Sequence, residues 1–308
     1  MKKLFVGVLC VALSLSVQGK EVNMTSPDGK YQFTLSDSGG QLHYSLTWNG
    51  KQTVKPSLLG INANVEWRDG VEIGTVDSSR KDTIWHPVYG ERSEIKDCYH
   101  AWKIVVNRQN GRDKLILDVR AYDEGIAFRY HFPGGQYLKI TDEYTEYTMP
   151  EGTKAYFTPK AQTPYSYLPL ENWPGESDRP LLLTLADGGY VCLAEAQVVD
   201  YVRTKFNVSP TKKNTVISAM YGPVEDIAPY STPWRVIMCA DKPGEILEHN
   251  DILLNLNPPC RIKDTSWIKP GKVMREVTLT TEGGKALVDF AVKRNLQYIH
   301  FDAGWYGF

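Results

Sequence analysis

The chain has 308 residues with 35 basic and 36 acidic side chains, so its formal net charge is −1. This balance gives no basis for predicting nucleic acid or an anionic membrane surface as a partner. The length allows two domains, and a hydrophobic content of 42% is enough for a core. The 18 tyrosines and 8 tryptophans suit a β-rich exported protein, and they could alternatively provide aromatic platforms for sugar rings.

The N-terminus has the pattern of a secretory signal peptide. Lys2 and Lys3 precede an apolar run, Leu4 to Val17, and small residues suited to cleavage end at Gly19. The run is too short for a comfortable membrane span, so the sequence predicts cleavage after residue 19 and no membrane insertion afterwards. The mature chain is expected to start near Lys20 and to be exported to the periplasm.

From residue 20 to residue 257, the pattern predicts antiparallel β-strands. Apolar residues alternate with polar ones, as in Tyr31, Phe33 and Leu35, and turn pairs such as Asn49-Gly50 separate the segments. Alternation with a period of two places one face of each strand against a core, and many short strands at this spacing are typical of a sandwich. The predicted fold class is therefore mainly β, with one large sandwich over residues 20–257.

Two segments of this region depart from simple alternation. Glu151 to Pro180 contains five prolines and several aromatic residues, which predicts an irregular loop of the kind that often faces a ligand or a partner domain. Pro233 to Ala240 is almost continuously apolar and predicts a strand that is buried on both faces.

The C-terminal segment changes to helical spacing. Residues 258–272 are rich in turn formers and predict a linker. Apolar residues then share one face of a helix over Glu282 to Asn295, and a short apolar strand, Gln297 to Phe301, follows. A helix and a strand that ends in an acid, a glycine and a tryptophan are expected at the start of a (β/α)₈ barrel. Residues 273–308 are thus predicted to be the first helix and strand of a truncated barrel.

Asp302 and Trp305 are the candidate substrate-binding residues, because the active sites of (β/α)₈ barrels lie at the C-terminal ends of the strands. A carboxylate there can accept hydrogen bonds from sugar hydroxyls, and an indole can stack on the apolar face of a sugar ring. The alternative is that Asp302 caps a turn and that Trp305 belongs to the core.

Glu195 is the candidate metal ligand. It lies in an apolar strand context, Val191 to Ala196, and carboxylates are rarely buried without a partner. That partner could be a hard cation such as Ca²⁺, which prefers carboxylate oxygens. Arg235, on another apolar strand, is the rival partner.

Other polar residues carry weaker signals. Glu171 is a further loop carboxylate, and His86 in its Trp-His-Pro context is more typical of a structural histidine than of a ligand. An exported chain could form disulfides, but buried free thiols are favoured because no CxxC pair is present. The cysteines concerned are Cys98, Cys192, Cys239 and Cys260.

An ordered series of short motifs runs through essentially all of the mature chain. The motifs are Ser26-Pro-Asp-Gly-Lys30, Trp85-His-Pro-Val-Tyr-Gly-Glu91, Arg120-Ala-Tyr-Asp-Glu-Gly-Ile-Ala-Phe-Arg-Tyr130, Thr232-Pro-Trp-Arg235, Leu256-Asn-Pro-Pro259, Trp267-Ile-Lys-Pro-Gly-Lys272 and Phe301-Asp-Ala-Gly-Trp-Tyr306. Together they resemble glycoside hydrolase family 97. Each motif is weak alone, and their order makes the resemblance specific.

The resemblance implies a galactose-mutarotase-like β-super-sandwich, a catalytic (β/α)₈ barrel and a small C-terminal β domain. It implies an exported, Ca²⁺-assisted hydrolase of α-glycosides, from either a retaining α-galactosidase branch or an inverting α-glucosidase branch. The family's sandwich lends one glutamate to the calcium site, and Glu195 matches it by motif. Trp305 matches the family's tryptophan that helps to line the sugar site. Overall likeness favours the α-galactosidase branch.

No catalytic pair can be named in this chain. Glycoside hydrolysis needs two carboxylates across the scissile bond, and the family's catalytic carboxylates lie on later barrel strands, which are expected beyond residue 308. The chain is interpreted as the N-terminal portion of a calcium-dependent hydrolase that cleaves terminal α-linked galactose, or glucose, from oligosaccharides. Alone it is expected to be inactive and to lack the C-terminal half of its barrel. The alternatives are a non-catalytic carbohydrate-binding sandwich and an inactive gene fragment.

Overall fold

A computed structural model describes residues 19–109 and 111–306. Strands predominate among these residues, so the prediction of a mainly β fold is confirmed. The predicted signal peptide lies outside the described residues, apart from Gly19. In this part of the chain, no helix combines the length and the hydrophobicity that a membrane crossing requires.

The strands are β1 Glu21–Thr25, β2 Tyr31–Ser36, β3 Leu42–Trp48, β4 Lys51–Leu59, β5 Ile61–Ala63, β6 Val65–Glu66, β7 Val71–Trp85, β8 Ile95–Arg108, β9 Lys114–Tyr122, β10 Gly125–Phe132, β11 Tyr137–Glu143, β12 Glu146–Thr148, β13 Lys154–Phe157, β14 Ser166–Pro169, β15 Leu181–Thr184, β16 Tyr190–Ala196, β17 Thr204–Val208, β18 Thr215–Met220, β19 Val224–Ile227, β20 Tyr230–Ser231, β21 Trp234–Ala240, β22 Val273–Glu276 and β23 Tyr298–Phe301. The helices are α1 Pro243–Glu248, α2 Asp251–Asn255 and α3 Thr281–Lys293.

The chain divides into two compact units. The first comprises the residues up to Thr83 together with Lys96–Pro258, and the second comprises Ile84–Ile95 together with the residues from Pro259 onward.

The first unit is built on large sheets. A seven-stranded sheet has the order β1-β2-β3-β4-β12-β18-β17, and all of its neighbouring strands are antiparallel. A ten-stranded sheet has the order β14-β13-β15-β16-β21-β10-β9-β8-β7, with β20 paired to β10. A four-stranded sheet, β19-β11-β5-β6, completes the unit.

The main core forms where the alternating apolar faces meet. On β2, Tyr31, Phe33 and Leu35 are fully buried, as the alternation predicted. The ring of Phe33 packs on that of Tyr44 with centroids 5.0 Å apart, and the Tyr44 ring lies 5.4 Å from the ring of Phe128 on β10. These contacts join residues of the two large sheets through aromatic packing.

The strand β21 is buried along its whole length, which confirms the prediction for this segment. Ile237 faces the main core, whereas Val236 and Met238 belong to a second apolar cluster on the other face of the sheet. Ile252 and Leu256, in and just after α2, contribute to that second cluster. Both faces of β21 are therefore covered within the first unit.

The segment 151–180 is more regular than predicted. It contains the antiparallel pair β13–β14, in which Tyr156 lies opposite Tyr167 and the two rings stack with centroids 4.6 Å apart. The sequence pattern obscured this hairpin because of its prolines, which edge strands tolerate. Pro169 is the last residue of β14, which is the edge strand of the ten-stranded sheet.

The second unit contains a β22–α3–β23 arrangement with a parallel strand pair. The hydroxyl of Thr280 caps α3 by accepting the backbone N–H of Gly283 at 3.0 Å. The helix ends at Lys293, and Asn295 has a left-handed backbone with φ of 51°, as suits a helix stop. The sequence predicted one strand after the helix, and β22 before the helix was missed because it is only four residues long and mostly exposed.

Candidate metal and substrate site

Glu195 and Arg235 lie directly opposite each other in the antiparallel pair β16–β21. The Nη1 group of Arg235 donates to Oε2 of Glu195 at 2.7 Å. The register fixes this contact, because residues that face each other across antiparallel strands point to the same side of the sheet. Arg235, which the sequence offered as the alternative to a cation, is therefore the partner of Glu195 in the structure.

Arg235 also binds a second carboxylate, that of Glu143 at the end of β11. Its Nε donates to Oε1 of Glu143 at 2.7 Å, and its Nη2 donates to Oε2, which makes a two-point contact. The Glu143 carboxylate further accepts the hydroxyls of Thr145 at 2.7 Å and Tyr201 at 3.1 Å. Arg235 and Glu143 are both fully inaccessible, with side-chain exposures of 1% and 0%.

Arg179 completes a buried ion cluster, defined here as Glu143, Arg179, Glu195 and Arg235. Its Nε lies 3.5 Å from Oε2 of Glu195. The same guanidinium donates to the hydroxyls of Thr204 and Ser218, each at 2.8 Å. With two guanidiniums and two carboxylates, the cluster is electrically balanced, as burial of charges requires.

Burial and ion pairing have opposite effects on the pKa values of Glu143, Arg179 and Arg235. Burial alone would raise the pKa of Glu143, but the charge and hydrogen bonds of Arg235 outweigh it and hold the pKa below its usual value. Burial opposes the charge of Arg235, yet Glu143 raises the pKa of this guanidinium well above its usual value. Burial lowers the pKa of Arg179, and Glu195 only partly offsets this effect.

The described residues do not by themselves fit a calcium site at Glu195. Its three contacts, from Arg179, Arg235 and the Thr204 hydroxyl at 3.0 Å, all reach Oε2, and both guanidiniums would repel a cation. Calcium takes six to eight oxygen ligands. Among the described residues, no group of three or more His, Cys, Asp or Glu could hold a metal ion. Glu195 can offer one carboxylate oxygen, Oε1, on a side chain that is 17% exposed.

Asp302 and Trp305 follow β23 in the second unit, as the sequence predicted. The Asp302 carboxylate pairs with Arg275 of β22, with Oδ2 2.9 Å from Nη2, and its Oδ1 accepts the backbone N–H of Ala303. The Trp305 side chain is 60% exposed, and its ring lies 6.2 Å from that of Phe301. Both side chains are therefore accessible, and their role in binding substrate stays a prediction.

The other polar residues noted in the sequence are Glu171, His86 and the cysteines. Glu171 is exposed in the short turn of helix Leu170–Asn172. His86 makes a hydrogen bond between Nδ1 and the backbone oxygen of Ser93 at 3.0 Å, which is consistent with a structural histidine.

Cys98, Cys192, Cys239 and Cys260 are all free thiols. Cys192 and Cys239 are buried, whereas Cys98 is partly exposed and Cys260 is exposed.

Two members of the ion cluster, Glu143 and Arg179, were not found from the sequence. Neither stands in a motif, and they precede Glu195 by 52 and 16 residues in the chain. Only a general signal was available. Charged side chains that are buried on apolar strands need opposite charges nearby, and the sequence shows which residue types could provide them but not which positions do.

Residues 24–259 match the family model described as Glycosyl-hydrolase 97 N-terminal. The chain belongs to glycoside hydrolase family 97, as the ordered motifs predicted.

Named relatives support this assignment. The chain is 26% identical over 361 residues to a retaining alpha-galactosidase from Bacteroides thetaiotaomicron, covering 99% of the chain and 53% of the relative. It is 25% identical to a probable retaining alpha-galactosidase from Streptomyces bingchenggensis, covering 92% of the chain and 45% of the relative. The chain thus spans about half the length of the curated relatives it matches.

A solved structure agrees with the fold. A glycoside hydrolase family 97 enzyme from Pseudoalteromonas sp. strain K8, in complex with panose, is 25% identical with a TM-score of 0.84. The match covers 93% of this chain and 48% of that enzyme.

Proposed function

We propose that this chain is the N-terminal portion of a retaining α-galactosidase. The observation that carries the proposal is the family match over residues 24–259, together with two curated relatives that are named as retaining or probable retaining alpha-galactosidases. The substrate is an oligosaccharide with a terminal α-linked galactose. The family enzyme whose structure was solved with panose, and also with acarbose, makes α-linked glucose the second candidate.

In this proposal the sandwich supports a catalytic barrel and the second unit begins it. The exposed indole of Trp305 would stack on the apolar face of the terminal sugar, and the Asp302 carboxylate would accept its hydroxyl groups. Since Asp302 is also paired with Arg275, that arginine would hold the carboxylate in place.

Calcium remains a prediction from the family resemblance. Glu195 would supply a single oxygen, Oε1, while Arg235 and Thr204 fix the position of the carboxylate through Oε2. The other oxygen ligands would come from outside the described residues.

We further propose that the protein is exported to the periplasm through the predicted signal peptide and that the 308-residue chain alone does not hydrolyse glycosides. Retention requires two carboxylates about 5 Å apart across the scissile bond. By the family resemblance, both carboxylates are expected on barrel strands beyond residue 308.

The test is an assay of the native protein, whose intact mass is measured first. The rates at which the native protein hydrolyses an aryl α-galactoside and an aryl α-glucoside are compared. The same two rates are then measured for the isolated 308-residue chain. The proposal expects the galactoside to be preferred by the native protein and neither substrate to be cleaved by the isolated chain. Preference for the glucoside would favour the second candidate. No cleavage by the native protein would refute the hydrolase proposal.

The calcium prediction has its own measurement. Chelation with EDTA should abolish activity of the native protein, and added Ca²⁺ should restore it. Glu195→Gln should need a higher Ca²⁺ concentration for half-maximal activity. Glu171→Gln is the matched control, because it neutralises a carboxylate that is exposed and lies outside the ion cluster. Equal Ca²⁺ requirements in the two variants would argue against a role for Glu195.

A further inference from the structure

A second feature of the first unit is a cavity of about 430 Å³ on the ten-stranded sheet. Its lining includes Asp118 and Arg120 of β9, Arg129 and His131 of β10, and Trp234 of β21. These positions alternate with residues that face the main core, so the cavity lies on the opposite face of the sheet. It is called the Arg120 cavity below.

Aromatic rings and guanidiniums alternate along the floor of the Arg120 cavity. The guanidinium carbon of Arg120 lies 4.7 Å from the ring centre of Tyr99 and 4.8 Å from that of Trp234. The guanidinium carbon of Arg129 lies 4.3 Å from the Trp234 ring centre. A cation held over an aromatic face is attracted by the ring quadrupole, so this stack fixes both arginines in place.

The two arginines differ in their remaining partners. Arg129 donates from Nε to Asp118 at 3.0 Å and from Nη1 to Gln197 at 3.1 Å. Within the part of the chain that the structure describes, Arg120 makes one long hydrogen bond, from Nη1 to the hydroxyl of Tyr122 at 3.5 Å. No carboxylate among the described residues forms an ion pair with Arg120. Because a guanidinium has five N–H donors, most of those on Arg120 remain available to a ligand.

The charge of the lining favours an anion. Three basic side chains face two acidic ones, and the Asp118 charge is already neutralised by Arg129. His131 adds no charge at pH 7, because burial lowers the pKa of its imidazole. The imidazole Nδ1 lies 2.9 Å from the Ser231 hydroxyl, and both residues line the cavity as polar groups. The basic residues are Lys103, Arg120 and Arg129, and the acidic ones are Asp77 and Asp118.

We propose that the Arg120 cavity binds a carboxylate-bearing monosaccharide, a uronic acid, with its carboxylate on the free N–H groups of Arg120. The planar guanidinium matches a carboxylate in a two-point contact. The hydroxyls of the sugar face the polar groups of Asp118, His131 and Ser231, and the apolar ring carbons face Tyr99. A cavity of this size suits a small ligand, since binding pockets typically measure roughly 300–1,000 Å³. This binding does not depend on the proposed hydrolase activity.

The test is calorimetric titration of the purified chain with D-galacturonate and D-galactose, which differ only in having a carboxylate or a hydroxymethyl group. Galacturonate should bind about tenfold more tightly than galactose or better, since hydrogen bonds to charged groups are the stronger ones. Its affinity should fall as salt is added. Acetate, which carries the carboxylate without the sugar, should bind more weakly than galacturonate.

Arg120→Gln should weaken galacturonate binding about tenfold or more, for the same reason. Arg68→Gln is the matched control, because Arg68 also stacks on a tyrosine, Tyr144 at 4.9 Å, but does not line the cavity. The proposal is overturned by equal binding of the two sugars, by the absence of galacturonate binding, or by acetate that binds as well as galacturonate. A folded Arg120→Gln protein with parental affinity would overturn it as well. If that variant does not fold, the comparison of the three ligands on the parent chain decides.

Discussion

Glu195 and Arg235 face each other across β16 and β21, and Nη1 of Arg235 lies 2.7 Å from Oε2 of Glu195. Arg235 reaches Glu143 with its other two nitrogens, so one guanidinium holds two carboxylates. This sharing fixes the orientation of Glu195 before any ligand arrives. In the described part of the chain, the contacts of Glu195 with Arg179, Thr204 and Arg235 are all made through Oε2.

The first prediction concerns the stability that Arg235 provides. Arg235→Leu leaves the carboxylate of Glu143 buried without its counter-charge, and removal of one partner of a buried pair typically costs about 3–5 kcal/mol. Urea unfolding of the purified chain should show a loss of this size. The control is Lys139→Leu, which breaks an exposed pair with Glu225 and should leave the unfolding midpoint nearly unchanged. A similar midpoint for both variants would contradict the prediction.

The second prediction concerns pH. Glu143 has a folded-state pKa below its usual value of 4.5, because Arg235 outweighs the effect of burial. A depressed folded pKa contributes stability that is present above the unfolded-state pKa and is lost as the pH falls through the folded-state pKa. The free energy of unfolding should therefore fall on acidification below about pH 4.5. In Glu143→Gln this acid-dependent loss should be smaller, and parallel curves for parent and variant would refute the assignment.

The sequence predicted the sandwich well because each strand carries its own signal. Alternation at Tyr31, Phe33 and Leu35 depends only on neighbouring residues, and burial on one face follows directly from it. The short strand β22 carried no such signal, since only Glu276 of its four residues is buried. Its strand character arises from pairing with β23, a contact that local periodicity does not reveal.

The site was predicted only in part for a similar reason. Arg235 was recognised as the rival to a cation for pairing with Glu195, because both are charged residues on apolar strands. Glu143 and Arg179 entered the cluster through tertiary contacts, and nothing in their local sequence distinguishes them from surface charges. The substrate roles of Asp302 and Trp305 stay predictions, since an exposed position after β23 is compatible with a ligand contact but does not identify one.

The third prediction concerns the main core. Phe128 is fully buried and packs against Phe33 and Tyr44, with ring centres 5.9 and 5.4 Å away. Phe128→Ala removes these contacts and leaves a cavity, so the free energy of unfolding should fall by about 3–5 kcal/mol. Tyr165→Ala, at a side chain that is 64% exposed, is the control and should unfold at nearly the parental urea concentration. A small effect of Phe128→Ala would mean that the two large sheets do not share this aromatic contact.

The last prediction concerns the cysteines. Burial raises the pKa of the Cys192 and Cys239 thiols to about 12, so neither forms the reactive thiolate in the folded protein at neutral pH. Cys260 is exposed and should react promptly with a thiol reagent such as DTNB, whereas Cys192 and Cys239 should react only after unfolding in urea. Cys260→Ser should remove the fast phase of the reaction with DTNB. Alkylation in urea without a reductant labels every cysteine that is not in a disulfide, and mass spectrometry then shows directly which thiols are free. Rapid native labelling of Cys192 or Cys239, or a disulfide between any two of the described cysteines, would contradict the structure at these positions.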